Sequence, residues 1–425
     1  MSDLALLGGP KTITETWPKW PMSGQREREL LNEVLSGDLW GGTGLGPKIR
    51  EVNEKFARYC GVAHGAAVAN GTVSMELCLR AWGIGPGDEV IVPAFTFFAT
   101  AVAVHSVGAT VVYVDIDPKT LNIDVRRMEE AVTGKTRAVI PVHIAGHPAD
   151  MDPIVEVARK HGIKVLEDAA QAHGAVYKGR KVGSLGDAAS FSFQQSKNLQ
   201  SGEGGIIVSD DGNLVDRIHY SLGKFGRGIR EKYSGHVHYV HGINACYSEI
   251  QAAVLLAQFE RFEEQMETRV AHAARLRDLL GGIPGIEPLP VQPYCNRHGY
   301  HLFLFYFDPA AFEGISRAQF FAALHAEGVP CMSLYPMPLY RQPVYETDRR
   351  VSMRFVDCPV TERAAREIGF FEHHLLLARE TQVERLAEAV RKVRDRASEL
   401  CRMEASEKDF MGSAVLTKAR NRAGS

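Results

Sequence analysis

The sequence has no Cys-x-x-Cys pair: its seven cysteines, Cys60, Cys78, Cys246, Cys295, Cys331, Cys358 and Cys401, are scattered. That excludes a zinc ribbon or a disulfide framework, and it reads as buried free thiols in a reducing compartment, with no metal site. Charge of one sign is also lacking, because 49 Lys and Arg stand against 51 Asp and Glu, with no run of five alike. A nucleic-acid or anionic-membrane partner is therefore not expected. The opening residues lack the basic start and long apolar core of a signal peptide. Only Val90 to Val114, 25 residues without Asp, Glu, Lys or Arg, is long enough to cross a bilayer. Pro93, His105 and Gly108 interrupt it, and Val and Ile crowd both ends, so it reads as two buried strands around a short helix. The expectation is a soluble, cytoplasmic protein. Its 425 residues, 45% hydrophobic and 24% charged, suffice for two or three domains.

What is present is alternation. Short β-branched runs at 66–69, 89–92, 110–114, 138–142, 164–166, 188–193 and 205–208 are separated by helix-like stretches at 73–82, 98–107, 125–132 and 151–160. This predicts an α/β fold, a mostly parallel seven-stranded sheet with helices on both faces. From Ser248 onward an apolar pattern at helical spacing, opened by a Ser248/Gln251 capping box, predicts one long helix. Four prolines between 284 and 293 then introduce a smaller C-terminal α+β unit. The predicted layout is a large domain over 1–250, a linking helix over 251–282, a small domain over 283–400 and a flexible tail over 401–425.

In parallel α/β sheets the ligand sits beyond the carboxyl ends of the strands, and four such ends carry candidate chemistry. Lys197 follows the buried run Phe191-Ser192-Phe193 and precedes Gly202-Glu203-Gly204-Gly205. Such an amine is either an exposed loop lysine or a group able to form a Schiff base. Asp168 closes the strand Val165-Leu166-Glu167, where a lone acid would be a cap or turn residue. A strand-end lysine and carboxylate together suggest pyridoxal 5'-phosphate, which needs an amine at its aldehyde carbon and an acid at its ring nitrogen. Asn70-Gly71-Thr72 opens a helix whose N–H groups can cradle a phosphate. Phe95, Phe97 and Phe98 put aromatics at a fourth strand end, as core or as a platform for a flat ring.

These segments, with Gly85-Pro86-Gly87-Asp88-Glu89-Val90, Asp115-Ile116-Asp117, Pro141-Val142-His143 and Gly242-Ile243-Asn244, resemble the DegT/DnrJ/EryC1/StrS family of sugar and cyclitol aminotransferases. That family is a branch of the fold-type I pyridoxal phosphate-dependent transferases, and the likeness runs from about Trp17 to Ala389. The resemblance implies that Lys197 carries the cofactor and shuttles a proton, and that Asp168 pairs with the ring nitrogen. It places Gln171 near the phenolic oxygen and Phe97 and Ala170 on the two ring faces. It assigns the phosphate to Gly71, Thr72 and Ser192, with Asn244 reaching across a homodimer from the partner subunit. Gln194, His143, Tyr335, His373 and His374 are the candidate substrate contacts.

The family's dehydratase branch has histidine in place of the lysine, so Lys197 favours transamination through a pyridoxamine phosphate form. Gln194 stands where the nucleotide-sugar branch has His or Tyr, and it resembles inosose aminotransferases and aminohydroxybenzoate synthases. Cys246 stands where many members carry arginine. The implied function is transfer of an amino group from glutamine or glutamate to the ketone of an inosose-like cyclitol or a sugar, in aminocyclitol, amino-sugar or antibiotic biosynthesis. The alternatives are a nucleotide-diphosphate keto-sugar aminotransferase, a lyase like aminohydroxybenzoate synthase, and a non-catalytic cofactor-binding regulator.

Overall fold

In the computed structural model, residues 3–42, 45–227 and 237–406 are described. Seven strands of the first half lie in the large sheet, β1 His64–Val68, β2 Glu89–Pro93, β3 Thr110–Val114, β4 Thr136–Val139, β5 Lys164–Asp168, β6 Ala188–Ser192 and β7 Gly205–Ser209, while the short strands Val176–Tyr177 and Arg180–Lys181 lie in a separate small sheet. The second half adds β8 Ile286–Pro288, β9 Leu302–Phe307, β10 Met332–Ser333, β11 Met353–Phe355 and β12 Ile368–Glu372. The large sheet has the order β1-β7-β6-β5-β4-β2-β3-β11. Strand β7 runs antiparallel to both its neighbours, and the other pairings are parallel. The seven expected strands are thus joined by an eighth, β11, from the C-terminal half. Every residue of β2, β6 and β7 is buried, as strands covered by helices on both faces must be.

Strands β8, β9, β12 and β10 form a separate antiparallel sheet. Its core gathers Phe305, Phe307, Phe312, Phe320 and Phe321 with Leu4 and Ile13 from the N-terminus. Residues placed with the large domain by sequence therefore pack into the small one. The reason is Glu327, fully buried there, which accepts from the N–H groups of Ala5 and Thr12 and from Lys392. A buried carboxylate needs that many donors, and the N-terminal segment supplies three, the Thr12 hydroxyl being the third.

The helix expected over 251–282 is two helices, Glu249–Glu260 and Phe262–Gly281, broken at Arg261. Arg261 leaves the helical path (φ −102°, ψ 0°) and pairs with Glu27, itself buried and also receiving the Gly24 N–H. A buried acid without a donor is costly, and Arg261 supplies one at the break. The Ser248/Gln251 capping box is present. Five of the cysteines are buried, whereas Cys246 is half-buried and Cys401 exposed, against the expectation for all seven. Most of the expected tail, residues 407–425, lies outside the described residues. Among the described residues no helix is long and apolar enough to cross a membrane.

Candidate active site

The carboxyl ends of β5 and β6 lie side by side in parallel register, with Asp168 opposite Ser190. This places Asp168 beside the turn that carries Lys197. Asp168 is buried, and Thr100 Oγ1 donates to its Oδ2 at 2.8 Å while the Ala170 N–H donates to Oδ1 at 3.2 Å. Burial pushes its carboxyl upward, and those two donors and the nearby Lys197 oppose the shift. Burial in turn lowers Lys197 from 10.5 to about 8, with the Asp168 charge holding it up. An amine so placed is partly neutral near physiological pH, and an acid so placed keeps its charge only with donors around it. Each therefore modulates the other's proton.

The helix Gly71–Ala81 starts behind β1, capped by Asn70, whose Oδ1 accepts the Val73 N–H at 2.9 Å. The first N–H groups, those of Gly71 and Thr72, have no acceptor within the helix and carry its positive end. Ser192, the last residue of β6, closes against them, and a Cβ on Gly71 would lie 2.9 Å from Ser192 Cβ. Glycine is required for that approach. Phe97 is 63% exposed although it follows the buried strand β2. A large ring left in solvent at a strand end is a free stacking face.

Gln171 is held on both sides: its Oε1 accepts the Ala145 N–H at 2.6 Å, and its Nε2 donates to the Tyr335 hydroxyl at 3.1 Å. Ala145 has φ 56°, a left-handed conformation that side chains rarely adopt, so strain is stored where the amide is aimed. Lys197 amine, Asp168 carboxylate, an anion-ready helix start and an open aromatic face are the four elements that pyridoxal 5'-phosphate requires, and they fit it. When bound, it supplies an electron sink for the bond broken at the amino-bearing carbon.

The candidate substrate contacts divide. Tyr335 is half-buried against Gln171, edge-on to Phe95 at 5.1 Å. Gln194 turns inward on its own loop, its Oε1 accepting the Ser196 N–H at 2.7 Å. His373 lies buried against that loop, 3.1 Å from the Ser196 carbonyl, and His374 pairs with Glu372 at 3.4 Å. His143 is different. It is fully buried, its Nδ1 accepts the Ala149 N–H at 2.9 Å, and so its Nε2–H donates to Glu167 Oε2 at 3.0 Å. Both nitrogens are consumed, which makes His143 a support beneath β5 rather than a substrate contact. Glu167 is fully buried and also accepts from Gly183, Leu185 and Gly186. Asn244 is exposed, with its Oδ1 accepting the Cys246 N–H at 3.3 Å. Among the described residues no hydrogen bond joins it to Lys197 or Asp168 of its own chain.

Sequence reasoning missed three residues of this neighbourhood. Thr100 is an ordinary helix residue in sequence, and no signal marks it. Asn198 follows the lysine directly, and its Nδ2 donates to the Gly299 carbonyl at 2.7 Å, tying the loop to the small domain. Trp20 donates from Nε1 to the Gln195 carbonyl at 2.8 Å. Its signal was the Trp17-Pro18-Lys19-Trp20-Pro21 run, which holds two of the chain's four tryptophans.

The sequence profile of the DegT/DnrJ/EryC1/StrS aminotransferase family matches residues 21–391. The chain is 35% identical over 424 residues to the L-glutamine:scyllo-inosose aminotransferase of Streptomyces griseus, covering 94% of this chain and 100% of that one. The crystal structure of 3-amino-5-hydroxybenzoic acid synthase superimposes with a TM-score of 0.82 at 32% identity, over 90% of this chain and 99% of that one. That of S. venezuelae DesV in complex with a ketimine intermediate does so with a TM-score of 0.77 at 36% identity, over 89% and 95%.

Proposed function

Because the chain belongs to the DegT/DnrJ/EryC1/StrS aminotransferase family and is a pyridoxal phosphate-dependent aminotransferase, we propose that it moves the amino group of L-glutamine, or of glutamate, to the ketone of an inosose-like cyclitol. The observation that carries the site assignment is the Lys197 amine, lowered to about 8 by burial, beside the buried carboxylate of Asp168. The scyllo-inosose acceptor in the name of the S. griseus relative supports the cyclitol reading. Gln194, where nucleotide-sugar relatives carry His or Tyr, supports it from the sequence.

In this reading Lys197 Nζ would take the proton from the donor's α-carbon as general base and later give it back as general acid. Asp168 would hold the proton on the ring nitrogen, and Thr100 and the Ala170 N–H favour its ionised form against the upward push of burial. Gly71, Thr72 and Ser192 would hold the phosphate, Phe97 and Ala170 would cover the ring, and Gln171, fixed by Ala145 and Tyr335, would serve the phenolic oxygen. Asn244 completes the phosphate site of a partner copy in a cytoplasmic homodimer, which agrees with its exposure. The test is a spectrophotometric screen of amino donors against the holoenzyme, then of keto-cyclitols and keto-sugars against the aminated form. Turnover with a nucleotide-linked keto-sugar but no free keto-cyclitol would overturn the acceptor, and no spectral response to any donor would overturn the enzyme reading.

A further inference from the structure

Arg269 is fully buried, yet its Nε and Nη2 have no hydrogen-bond partner among the described residues. Its Nη1 reaches only Met266 Sδ at 3.8 Å, and its guanidinium lies 5.2 Å from the Trp20 ring centre. A buried cation without an acceptor is costly, so the absence points to an acceptor that arrives from elsewhere. Beside it, edge-on to Trp20 at 4.6 Å, is His373. The His373 Nε2 faces the Ser196 carbonyl, which fixes the proton on Nε2 and leaves Nδ1 a bare acceptor. That Nδ1 is also buried without a partner. Burial and the Arg269 charge keep the ring neutral by holding His373 well below its ordinary value.

The two orphans belong to one cluster next to Lys197. The His301 ring is stacked 5.9 Å from His373, and His301 feels both the Lys197 and the Arg269 charges. Trp20 and His373 grip consecutive carbonyls, those of Gln195 and Ser196, immediately before the lysine. The cluster therefore holds two unpartnered guanidinium nitrogens and one bare imidazole nitrogen, set against the loop that carries Lys197. A carboxylate would satisfy the arginine but set its second oxygen against the His373 lone pair. A primary carboxamide satisfies both, its oxygen accepting and its NH2 donating.

We propose that Arg269 and His373 recognise the side-chain carboxamide of the amino donor, and so select L-glutamine over L-glutamate. The proposal rests on the aminotransferase reading above. The recognition is of the kind in which a mismatched polar partner is rejected because buried groups are left unpaired.

The experiment compares L-glutamine with L-glutamate as donors to the holoenzyme, and glutaramate with glutarate as unreactive ligands followed by the spectral change they cause. Wild-type holoenzyme is expected to bind glutaramate at least tenfold more tightly than glutarate. In His373→Gln, whose amide can still reach the Ser196 carbonyl, and in Arg269→Leu, the glutamine-to-glutamate ratio of kcat/KM is expected to fall at least tenfold. Equal or reversed binding of the two ligands by the wild type would overturn the proposal without requiring any variant to fold. A ratio within twofold of wild type in both variants would also overturn it, and would leave the cluster bridged by water alone. A holoenzyme that responds to no amino acid refutes the aminotransferase reading. One that turns over glutamine and glutamate alike refutes only this proposal.

Discussion

The reactivity of Lys197 against pH is the most direct consequence of the site's electrostatics. Burial takes its amine from 10.5 to about 8, against the pull of Asp168, a cost to the ammonium form of about 3 kcal/mol. At pH 7 about a tenth of the Lys197 amines would be neutral, against roughly one in 3,000 for an ordinary lysine. The assay is trace acylation of cofactor-free protein from about pH 6 to about pH 10, with Lys197 quantified by peptide mass spectrometry. The sign follows from the chemistry: only the neutral amine reacts, so labelling rises with pH and levels off above the folded pKa. The midpoint is expected near 8, far below that of surface lysines in the same sample. Asp168→Asn removes the charge that stabilises the ammonium, so it should move the midpoint lower still. A midpoint at ordinary lysine values, or an upward move in Asp168→Asn, would refute burial as the source of the activation.

Further outcomes follow from the same geometry. Lys197→Ala should lose the visible absorbance of the holoenzyme and all transamination while keeping its fold by circular dichroism; retention of either signal would remove the lysine from its role. Asp168→Asn should bind cofactor more weakly and slow both half-reactions by well over tenfold, since a charge-assisted bond of about 1.5–3 kcal/mol is lost at the ring nitrogen; near-native rates would refute that pairing. Glu167→Gln should cost about 3–5 kcal/mol in urea unfolding, because the fully buried acid collects four donors. Burial raises the Glu167 pKa and the His143 and backbone donors more than reverse it, so the net value lies below 4.5. Its stabilisation is thus present above the ordinary carboxylate range and lost as pH falls through the lower folded value, and that part of acid unfolding should vanish in the variant. Finally, a mixed dimer of Lys197→Ala with Asn244→Ala should regain about half of native activity, since one site would then carry both defects and the other neither. Activity no higher than expected for an Asn244→Ala site would place Asn244 in its own chain's site.

Local chemistry made much of this molecule legible. Continuous Val/Ile runs bounded by glycine and polar turns have few alternatives to buried parallel strands, and β2, β3 and β5 lie where that pattern puts them. Strand-end positions follow once the strands do, so Lys197, Asp168, Gly71 and the Phe95–Phe98 aromatics could be grouped from position and residue type, and the family resemblance singled out Phe97. The Ser248/Gln251 cap was equally plain, because a capping box is a contact over three residues.

What only the tertiary structure decided are pairings between distant segments. No local pattern shows that Arg261 would leave a helix to meet Glu27, or that Leu4 and Ile13 would enter the small domain's core to satisfy Glu327. His143 was indistinguishable in sequence from a substrate contact until its two nitrogens were seen to be spent on Glu167 and Ala149. Arg269 lies between these cases. It falls in helical phase with the buried Phe262, Met266, Ala273, Leu276 and Leu280, so the sequence marks it as a cation on an apolar face. Whether such a cation is neutralised, stacked or left waiting depends on what the fold sets beside it, here Trp20 from 249 residues before and His373 from 104 residues after. Hydrophobic periodicity is a property of neighbours in the chain, whereas satisfaction of a buried charge is a property of neighbours in space.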